Sequence, residues 1–293
     1  MNIIPVTLNI NNYHKIKDNN VAKYNNKSLV SFKSNPDSVR LLIKPADFFV
    51  NIKGYGSNIN WACQIKKLTD DATKLIRKGK DSDEILPYIA HNMKRANSFD
   101  LHLRQHTGRI RTYRARYGIV GEWGEVRTIY TSKNKYSSYK KRLDEKIKKP
   151  LNNPYPDADF MTKLSKGLVY GENCITHGEC KSINIALDKV SEIHKNLQEK
   201  YISKPENVTI DKLKDINSDV AEIRWIIAHS TPWERGSDSI GNSYIRALYK
   251  AMGIQTSPLK KGVSLDLEAY CTELPEYKKN FASYFEKAPE IMD

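Results

Sequence analysis

Side chains that could take part in chemistry are concentrated between residues 222 and 239. Glu222 and His229 stand seven residues apart in a helical pattern, and the turn PWERGSDS, from Pro232 to Ser239, follows them. Seven residues make two helical turns, or about 10 Å, so both side chains would border one cleft without touching. A carboxylate in such a cleft can stabilise developing positive charge, and an imidazole can hydrogen-bond a hydroxyl or an amide. We therefore expect Glu222 and His229 to be catalytic.

The turn itself has the composition of a phosphate-binding site. A second helix is expected to begin within it, and the first N–H groups of a helix bind phosphate well. Arg235 adds a bidentate donor, and Trp233 offers a face on which a ring can stack. Phosphate-binding donors beside an aromatic ring indicate a nucleotide. We expect the cofactor to be bound by Trp233, Arg235, Gly236, Ser237 and Ser239.

A second group of cationic residues lies in RQHTGRIRTYRAR, residues 104–116, which holds five arginines in 13 positions. Arg111, Arg114 or Arg116 is expected to complete the cofactor site, and the sequence does not choose among them. The alternation of Arg with Tyr also suits a surface that binds nucleic acid. The net charge of +14 attracts anions of many kinds. A non-enzymatic module that binds nucleic acid or an anionic surface is therefore an alternative, though not the favoured one.

Periodicity predicts the two helices that would position the turn. The first is expected to begin near Asn217 or Ser218, and the second to be capped by Ser237, Asp238 or Ser239. The residues predicted to be buried are Val220, Ile223 and Ile227 in the first helix and Ile240, Tyr244, Leu248 and Met252 in the second, which Gly253 would end.

The chain as a whole predicts an α+β fold that is predominantly helical with a small antiparallel sheet. Two helices, in TDDATKLIRKG and SDEILPYIAHNMKRAN, are expected between about 69 and 97, each opening with an N-cap residue. Residues 109–132 predict two strands joined by a turn around 121–125. The resulting sheet, near 105–132, would pack against the C-terminal helices. A proline-rich loop is expected at about 148–158.

Composition indicates a globular chain, with 39% apolar and 28% charged residues. No run approaches the 18 apolar residues of a membrane-spanning helix, so no transmembrane segment is expected. Residues 1–36 contain nine Asn and are predicted to be a flexible leader, followed by a single catalytic domain at 37–293. The N-terminus lacks the pattern of a classical signal peptide. Such a leader is typical of an effector that is made in the bacterial cytoplasm and then delivered into a target cell.

The four cysteines are too few for a disulfide scaffold in a chain of this length, which favours a reducing compartment. Three potential metal ligands occur close together, at Cys174, His177 and Cys180, but no second ligand pair with zinc-finger spacing stands nearby. We therefore predict no metal site.

The turn resembles the motif of the Fic family, in which a His-Pro-Phe-x-x-Gly-Asn-Gly-Arg loop between two helices holds a nucleotide for AMP transfer. PWERGSDS aligns with that motif from the proline onward, and Gly236 falls on its first glycine. Thr231 stands where the motif has its catalytic histidine, Ser239 stands where it has its arginine, and His229 comes two residues too early. The resemblance covers about 25 residues and implies ATP as cosubstrate.

Glu222 and His229 also resemble the glutamate and histidine, seven residues apart, of a bacterial effector family that ADP-ribosylates a threonine of ubiquitin. That resemblance implies NAD as cofactor, an upstream arginine in the site, and a host protein such as ubiquitin as the acceptor. Glu222 would stabilise the oxocarbenium-like charge that develops when the bond between nicotinamide and ribose breaks. His229 would hydrogen-bond a ribose hydroxyl or the nicotinamide.

The sequence thus predicts an effector-like or toxin-like transferase, with ADP-ribose transfer from NAD to a protein as the first hypothesis. Nucleotidyl transfer from ATP to a protein is the enzymatic alternative, and the non-enzymatic binding module is the alternative from another class.

Overall fold

The computed structural model describes residues 59–96, 101–112, 119–120, 126–130, 136–166 and 173–292, without the side chains of 59, 60, 101–103, 119, 120 and 126. All of them belong to the second of two units into which the chain divides, Leu41–Asp293. The predicted leader at 1–36 lies outside the described residues.

Helices make up most of the described chain. Numbered in chain order, they are α1 (Ile59–Arg77), α2 (Ser82–Ala96), α3 (Leu101–His106), α4 (Lys140–Lys148), α5 (Ser182–Leu197), α6 (Leu213–Ser230), α7 (Ser237–Ala251), α8 (Leu265–Cys271) and α9 (Leu274–Asn280), with a π-helical turn at Gln198–Ile202 and short 3-10 turns at Pro205–Asn207, Ile210–Lys212 and Phe281–Tyr284.

The strands form two small antiparallel sheets. They are β1 (Ile119–Val120), β2 (Val126–Tyr130), β3 (Lys163–Lys166), β4 (Asn173–His177), β5 (Ile254–Gln255) and β6 (Glu290–Ile291). The larger sheet has the order β1-β2-β4-β3, and β5 pairs with β6. In the larger sheet Ile175 lies opposite both Thr128 and Leu164, so β4 is a central strand. The predicted class, α+β and predominantly helical with a small antiparallel sheet, is confirmed.

The helix α6 occupies the centre of the core. It contacts α5, α7, α8 and α9, so it is covered on several sides. Its residues Trp225, Ile226 and Ile227 are all fully buried. The buried residues predicted for α6 and α7 are confirmed. Gly253 lies just beyond the end of α7 with a φ of 74°, as expected of a helix stop.

Two helices begin earlier in the chain than the sequence predicted. Thr69 lies inside α1, where its hydroxyl donates to the Ile65 carbonyl at 2.9 Å instead of capping. The helix α6 begins at Leu213, upstream of the expected Asn217, whose side-chain oxygen accepts a hydrogen bond of 2.6 Å from the Tyr249 hydroxyl. Polar residues that suit a cap can also bond within or between helices, and tertiary contacts decide which occurs.

The strand prediction was only partly correct. The hairpin partners β1 and β2 do pair, but residues 109–112 form no strand, and the expected turn at 121–125 lies outside the described residues. The strands β3 and β4 were not predicted. Most of β3 is exposed, so its sequence KLSK carries little apolar alternation.

Residues 149–162, which include most of the proline-rich segment, connect α4 to β3 without helix or strand. Among the described residues, no helix is both long enough and apolar enough to cross a membrane.

The contact between α6 and α7 gives a direct test of this core. Ile227 is fully buried, and its Cγ2 lies 3.2 Å from the point where a Cβ on Gly241 would stand. We expect Ile227→Ala to lower the free energy of unfolding by about 2–5 kcal/mol, measured by urea denaturation. The matched control is Ile210→Ala, because Ile210 is 82% exposed and its truncation should change stability by less than about 0.5 kcal/mol. Equal effects of the two substitutions would contradict the packing described.

Candidate functional site

The turn between α6 and α7 is held against the segment 107–111. The N–H of Gly108 donates to the Arg235 carbonyl at 3.1 Å, and the N–H of Glu234 donates to the Arg109 carbonyl at 2.8 Å. The N–H of Arg111 donates to the Pro232 carbonyl at 2.9 Å. These bonds account for the absence of a strand at 109–112, because the backbone groups there pair with the turn.

Glycine makes two close approaches around this segment sterically feasible, one of Gly108 to α2 and one of Gly236 to Thr107. Gly108 has a φ of 71°, and a Cβ there would lie 2.2 Å from the Ala90 carbonyl oxygen. Gly236 has a φ of 92°, and a Cβ there would lie 3.2 Å from the Thr107 methyl group. Glycine favours these left-handed conformations because it lacks a Cβ. The turn is therefore a fixed structure rather than a simple connection.

The helix α7 begins at this turn without a side-chain cap. Its N-cap residue is Gly236, and no side chain hydrogen-bonds to the helix end as a cap. The predicted caps Ser237, Asp238 and Ser239 were therefore wrong by one to three positions. The Ser237 hydroxyl instead donates to the Trp233 carbonyl and accepts from the Trp233 N–H, both at 3.2 Å. Because the first N–H groups of a helix have no acceptor within it, they can bind an anion.

Two side chains of the turn point into the protein. Trp233 is only 2% exposed, so its ring presents almost no face to a ligand in this conformation. The Glu234 side chain is fully buried, and its carboxylate accepts a hydrogen bond of 2.6 Å from His106 Nδ1. Arg109 Nε lies 3.2 Å from the same carboxylate. Arg235, by contrast, is partly exposed and stands directly before the start of α7.

Arg111 fixes the end of α6 from the side. Its Nε donates to the Thr231 carbonyl at 2.7 Å, and its Nη2 donates to the carbonyls of Ser230 at 2.8 Å and Gly178 at 2.9 Å. Burial lowers the pKa of Arg111 to about 10, which leaves it charged at neutral pH. The structure thus places Arg111 at the turn, but with its guanidinium directed at backbone carbonyls. Arg114 and Arg116 lie outside the described residues.

A histidine that the sequence did not identify as catalytic lies beside the turn. His177 Nδ1 is 3.0 Å from the hydroxyls of both Thr231 and Thr162. Both hydroxyls donate to backbone carbonyls, of Ala228 and His229 respectively, at 2.8 Å. They must therefore accept from His177, which places its proton on Nδ1 in the neutral form. Thr231 has a φ of 39°, so its left-handed backbone is part of this arrangement.

Glu222 lies at the surface of α6 in a separate polar cluster. Its carboxylate accepts a hydrogen bond of 2.5 Å from the Tyr155 hydroxyl and forms an ion pair with Lys278. The Glu222 side chain is 20% exposed, and the Lys278 side chain is 25% exposed. Desolvation, with the nearby Glu222 carboxylate, raises the pKa of Tyr155 and keeps its hydroxyl protonated as a donor. A ligand that binds the Glu222 carboxylate would have to do so alongside Tyr155 and Lys278, which already contact it.

His229 is enclosed in the core rather than exposed in a cleft. Its Nδ1 accepts from the Thr162 N–H at 3.2 Å, and its Nε2 donates to the Ala269 carbonyl at 3.1 Å. The ring of Trp225 packs on it, with centroids 4.0 Å apart. Burial lowers the pKa of His229 to about 3, so the ring is neutral. Both ring nitrogens are engaged with the protein.

The structure therefore brings together only part of the predicted site. The start of α7 contains four of the predicted residues, Arg235, Gly236, Ser237 and Ser239. Arg111 binds the carbonyls of Ser230 and Thr231 just before the turn. Glu222 and His229 share α6, but His229 is buried while Glu222 faces another cluster. The sequence singled out His177 only as a potential metal ligand and did not single out Tyr155, because only the tertiary fold brings these residues beside the predicted ones.

The cysteines and the three potential metal ligands at Cys174, His177 and Cys180 lie in the described residues. All four cysteines lie in the part of the chain that the structure describes, and no disulfide joins them. No group of three His, Cys, Asp or Glu side chains within the described ranges is arranged to hold a metal ion.

Burial of His229 predicts a pH effect on stability. Between its native pKa of about 3 and an ordinary value of about 6.5, the unfolded state binds the proton and the native state does not. Its contribution is therefore complete above pH 6.5 and is lost as the pH falls, by up to about 1.4 kcal/mol per pH unit. In urea denaturation between pH 4 and 7, His229→Gln should show a shallower fall of the unfolding free energy than wild type. His91→Gln, at an exposed position of α2, should retain the wild-type slope. Parallel slopes for wild type and His229→Gln would refute this account.

Because Arg111 binds three backbone carbonyls, we expect the protein to lose stability when the guanidinium is replaced. Lysine cannot reach all three acceptors at once, so Arg111→Lys should lower the free energy of unfolding by about 2 kcal/mol or more. Arg95→Lys, at an exposed position of α2, is the matched control and should be neutral within about 0.5 kcal/mol. If thermal and urea denaturation show the two variants to be equally stable, Arg111 does not clamp the turn.

Comparison with known proteins assigns the chain to a family. The sequence pattern of the AvrB_AvrC avirulence proteins matches residues 93–288, which is 196 of the 293 residues and includes α6, the turn and α7. No individual curated protein matches the chain. Because the match covers most of the chain, including the whole candidate site, the protein belongs to the AvrB_AvrC avirulence protein family, a family of bacterial effectors.

Proposed function

We propose that this effector transfers a group from a nucleotide cosubstrate to a host protein, and that the turn from Pro232 to Ser239 binds the phosphates of the cosubstrate. The observation that carries the proposal is the start of α7: a helix that begins at a left-handed glycine, has no side-chain cap and is held rigidly by the segment 107–111.

Membership of an effector family implies delivery into host cells and a host protein as target. A covalent modification of that target suits such a protein because one effector molecule can then act on many targets. We propose in addition that the cosubstrate is ATP or NAD, that AMP or ADP-ribose is the group transferred, and that ubiquitin is a candidate acceptor.

Phosphate binding at the turn requires donors that are already oriented. The first N–H groups of α7 point away from the helix, and the helix dipole adds partial positive charge at the same place. Arg235 is partly exposed beside them and can bind two phosphate oxygens. Preorganised donors of this kind stabilise charge that develops on a phosphate leaving group. The same donors could bind the phosphates of either ATP or NAD. With ATP they would stabilise the pyrophosphate that leaves, whereas with NAD the leaving group is nicotinamide and the turn would only position the diphosphate.

Nucleotidyl transfer from ATP is the form of the proposal that the contacts favour. Transfer of AMP needs a base near the turn to take the proton of the acceptor hydroxyl. Thr231 occupies the position of the histidine in the Fic-like motif, and His177 approaches it from β4 to 3.0 Å. The clamp by Arg111 holds Gly178, the next residue, against the end of α6. Because Nδ1 of His177 donates to the Thr231 hydroxyl, its other ring nitrogen, Nε2, would be the one to take the proton.

ADP-ribose transfer from NAD is the second candidate, and the surface position of Glu222 favours it. A carboxylate that is 20% exposed could approach the ribose as the glycosidic bond breaks. The enclosed His229 does not support this candidate, because both of its ring nitrogens already have partners.

The test is intact-mass analysis of acceptor proteins, ubiquitin among them, after incubation with the effector and ATP or NAD. Release of AMP or of nicotinamide is followed in parallel, since water can replace an unsuitable acceptor. We expect wild type to be active with one cosubstrate and Arg235→Ala to lose about 100-fold of the rate. Arg95→Ala, at an exposed position of α2, is the charge-matched control and should behave as wild type.

Glu222→Gln separates the two candidates. Addition of AMP that survives Glu222→Gln would support nucleotidyl transfer, and addition of ADP-ribose that this variant abolishes would support the NAD route. Absence of both modification and nucleotide turnover with either cosubstrate would contradict the proposed function.

A further inference from the structure

The start of α7 contains an acid where an anion site would not be expected to have one. Asp238 is the second residue of α7, and its side chain is 23% exposed. A carboxylate at this position favours the helix dipole, but it repels a phosphate that binds the same N–H groups. A phosphate site at this turn therefore needs something to neutralise Asp238.

A fully buried arginine of α6 meets that need. Arg224 is 0% exposed, its Nη2 donates to the Asp238 carboxylate, and its Nε donates to Asn242 Oδ1 at 2.8 Å. Burial by itself lowers the pKa of Arg224, but the carboxylate of Asp238, with Tyr277 and Asp266, more than offsets this and raises it. The guanidinium is therefore charged beneath the first turn of α7.

The Arg224 side chain passes close to a glycine of the facing helix. A Cβ on Gly241 would lie 3.4 Å from Arg224 Nε and 3.5 Å from its Cδ. It would also lie 3.2 Å from Ile227 Cγ2, so there is little room for a side chain at this point. Gly241 of α7 therefore leaves room for the side chains of Arg224 and Ile227 of α6.

The protein does not saturate the hydrogen-bonding capacity of this arginine. Arg224 Nη1 is buried and has no hydrogen-bond partner among the described residues. A buried donor without a partner is costly, and a buried cation keeps a long-range field because the surrounding dielectric constant is low. The positive charge of Arg224 is therefore not fully compensated by hydrogen bonds within the described residues.

We infer that Arg224 is a positioning residue of the proposed phosphate site: by neutralising Asp238 from below, it keeps the start of α7 attractive to a diphosphate. This inference rests on the proposed function, because it assigns a role within the same turn. The ligand class is a pyrophosphate or the diphosphate portion of a nucleotide, and Arg224 acts on it through Asp238 and through its field rather than by direct contact.

The test is a double-mutant cycle with inorganic pyrophosphate as the probe, measured by isothermal titration calorimetry. Asp238→Asn removes the repelling charge and should tighten binding by about tenfold. Arg224→Met removes the neutralising charge and should weaken binding by about tenfold or more. The double variant should return to within about threefold of wild type, because the two charges cancel in both proteins.

Folding is controlled separately, because each single substitution removes one charge of the ion pair between Arg224 and Asp238. Far-UV circular dichroism and urea denaturation show whether a variant is folded. If Arg224→Met does not fold, Asp238→Asn alone decides the matter: tighter binding supports the inference, and unchanged or weaker binding overturns it. Asp70→Asn, in an ion pair with Lys66 on α1, is the matched acid control and should bind as wild type.

The outcomes separate this inference from the proposed function. If wild type binds pyrophosphate but neither Asp238→Asn nor Arg224→Met changes the affinity by more than about threefold, Arg224 only joins α6 to α7 and the inference fails alone. If wild type binds neither pyrophosphate nor a nucleotide, the proposed site and this role of Arg224 fail together.

Discussion

The hydrogen bonds between residues 107–111 and the turn at 232–236 are the constraint on which the candidate site depends. They join two loop segments, and Gly236 permits the close approach to Thr107 while Gly108 permits the approach of the same segment to α2. Arg111 extends the same contact to the end of α6 and to Gly178 after β4. The start of α7 is consequently fixed before any ligand arrives, and a fixed set of donors binds an anion without the entropic cost of ordering a loop.

The central position of α6 explains why its polar residues have such different roles. A helix covered on several sides must satisfy each buried polar group within the protein. His229 does so with the Thr162 N–H and the Ala269 carbonyl, and it becomes a neutral part of the core. Arg224 does so only in part, through Asp238 and Asn242, and it remains charged. Glu222 reaches the surface, where Lys278 and Tyr155 share its carboxylate.

The sequence predicted what depends on local pattern. The fold class, the two helices around the turn and their buried residues follow from apolar spacing, and Gly253 follows from helix-stop chemistry. Spacing could not reveal that His229 would be enclosed, because the helix has two buried faces. Nor could it reveal that His177 would lie beside Thr231, since 54 residues separate them. The segment 109–112 has the composition of a strand but bonds to the turn instead, a tertiary preference that overrides local propensity.

The family match identifies a bacterial effector, and the central proposal for this protein is that phosphates bind at the start of α7. The most direct measurement is hydrogen–deuterium exchange of the whole protein with and without ADP. The account predicts protection of the amides around residues 235–240, with little change near Glu222 and Lys278. Protection near Glu222 and Lys278 without any change at 235–240, or no protection at all with saturating ADP, would contradict it.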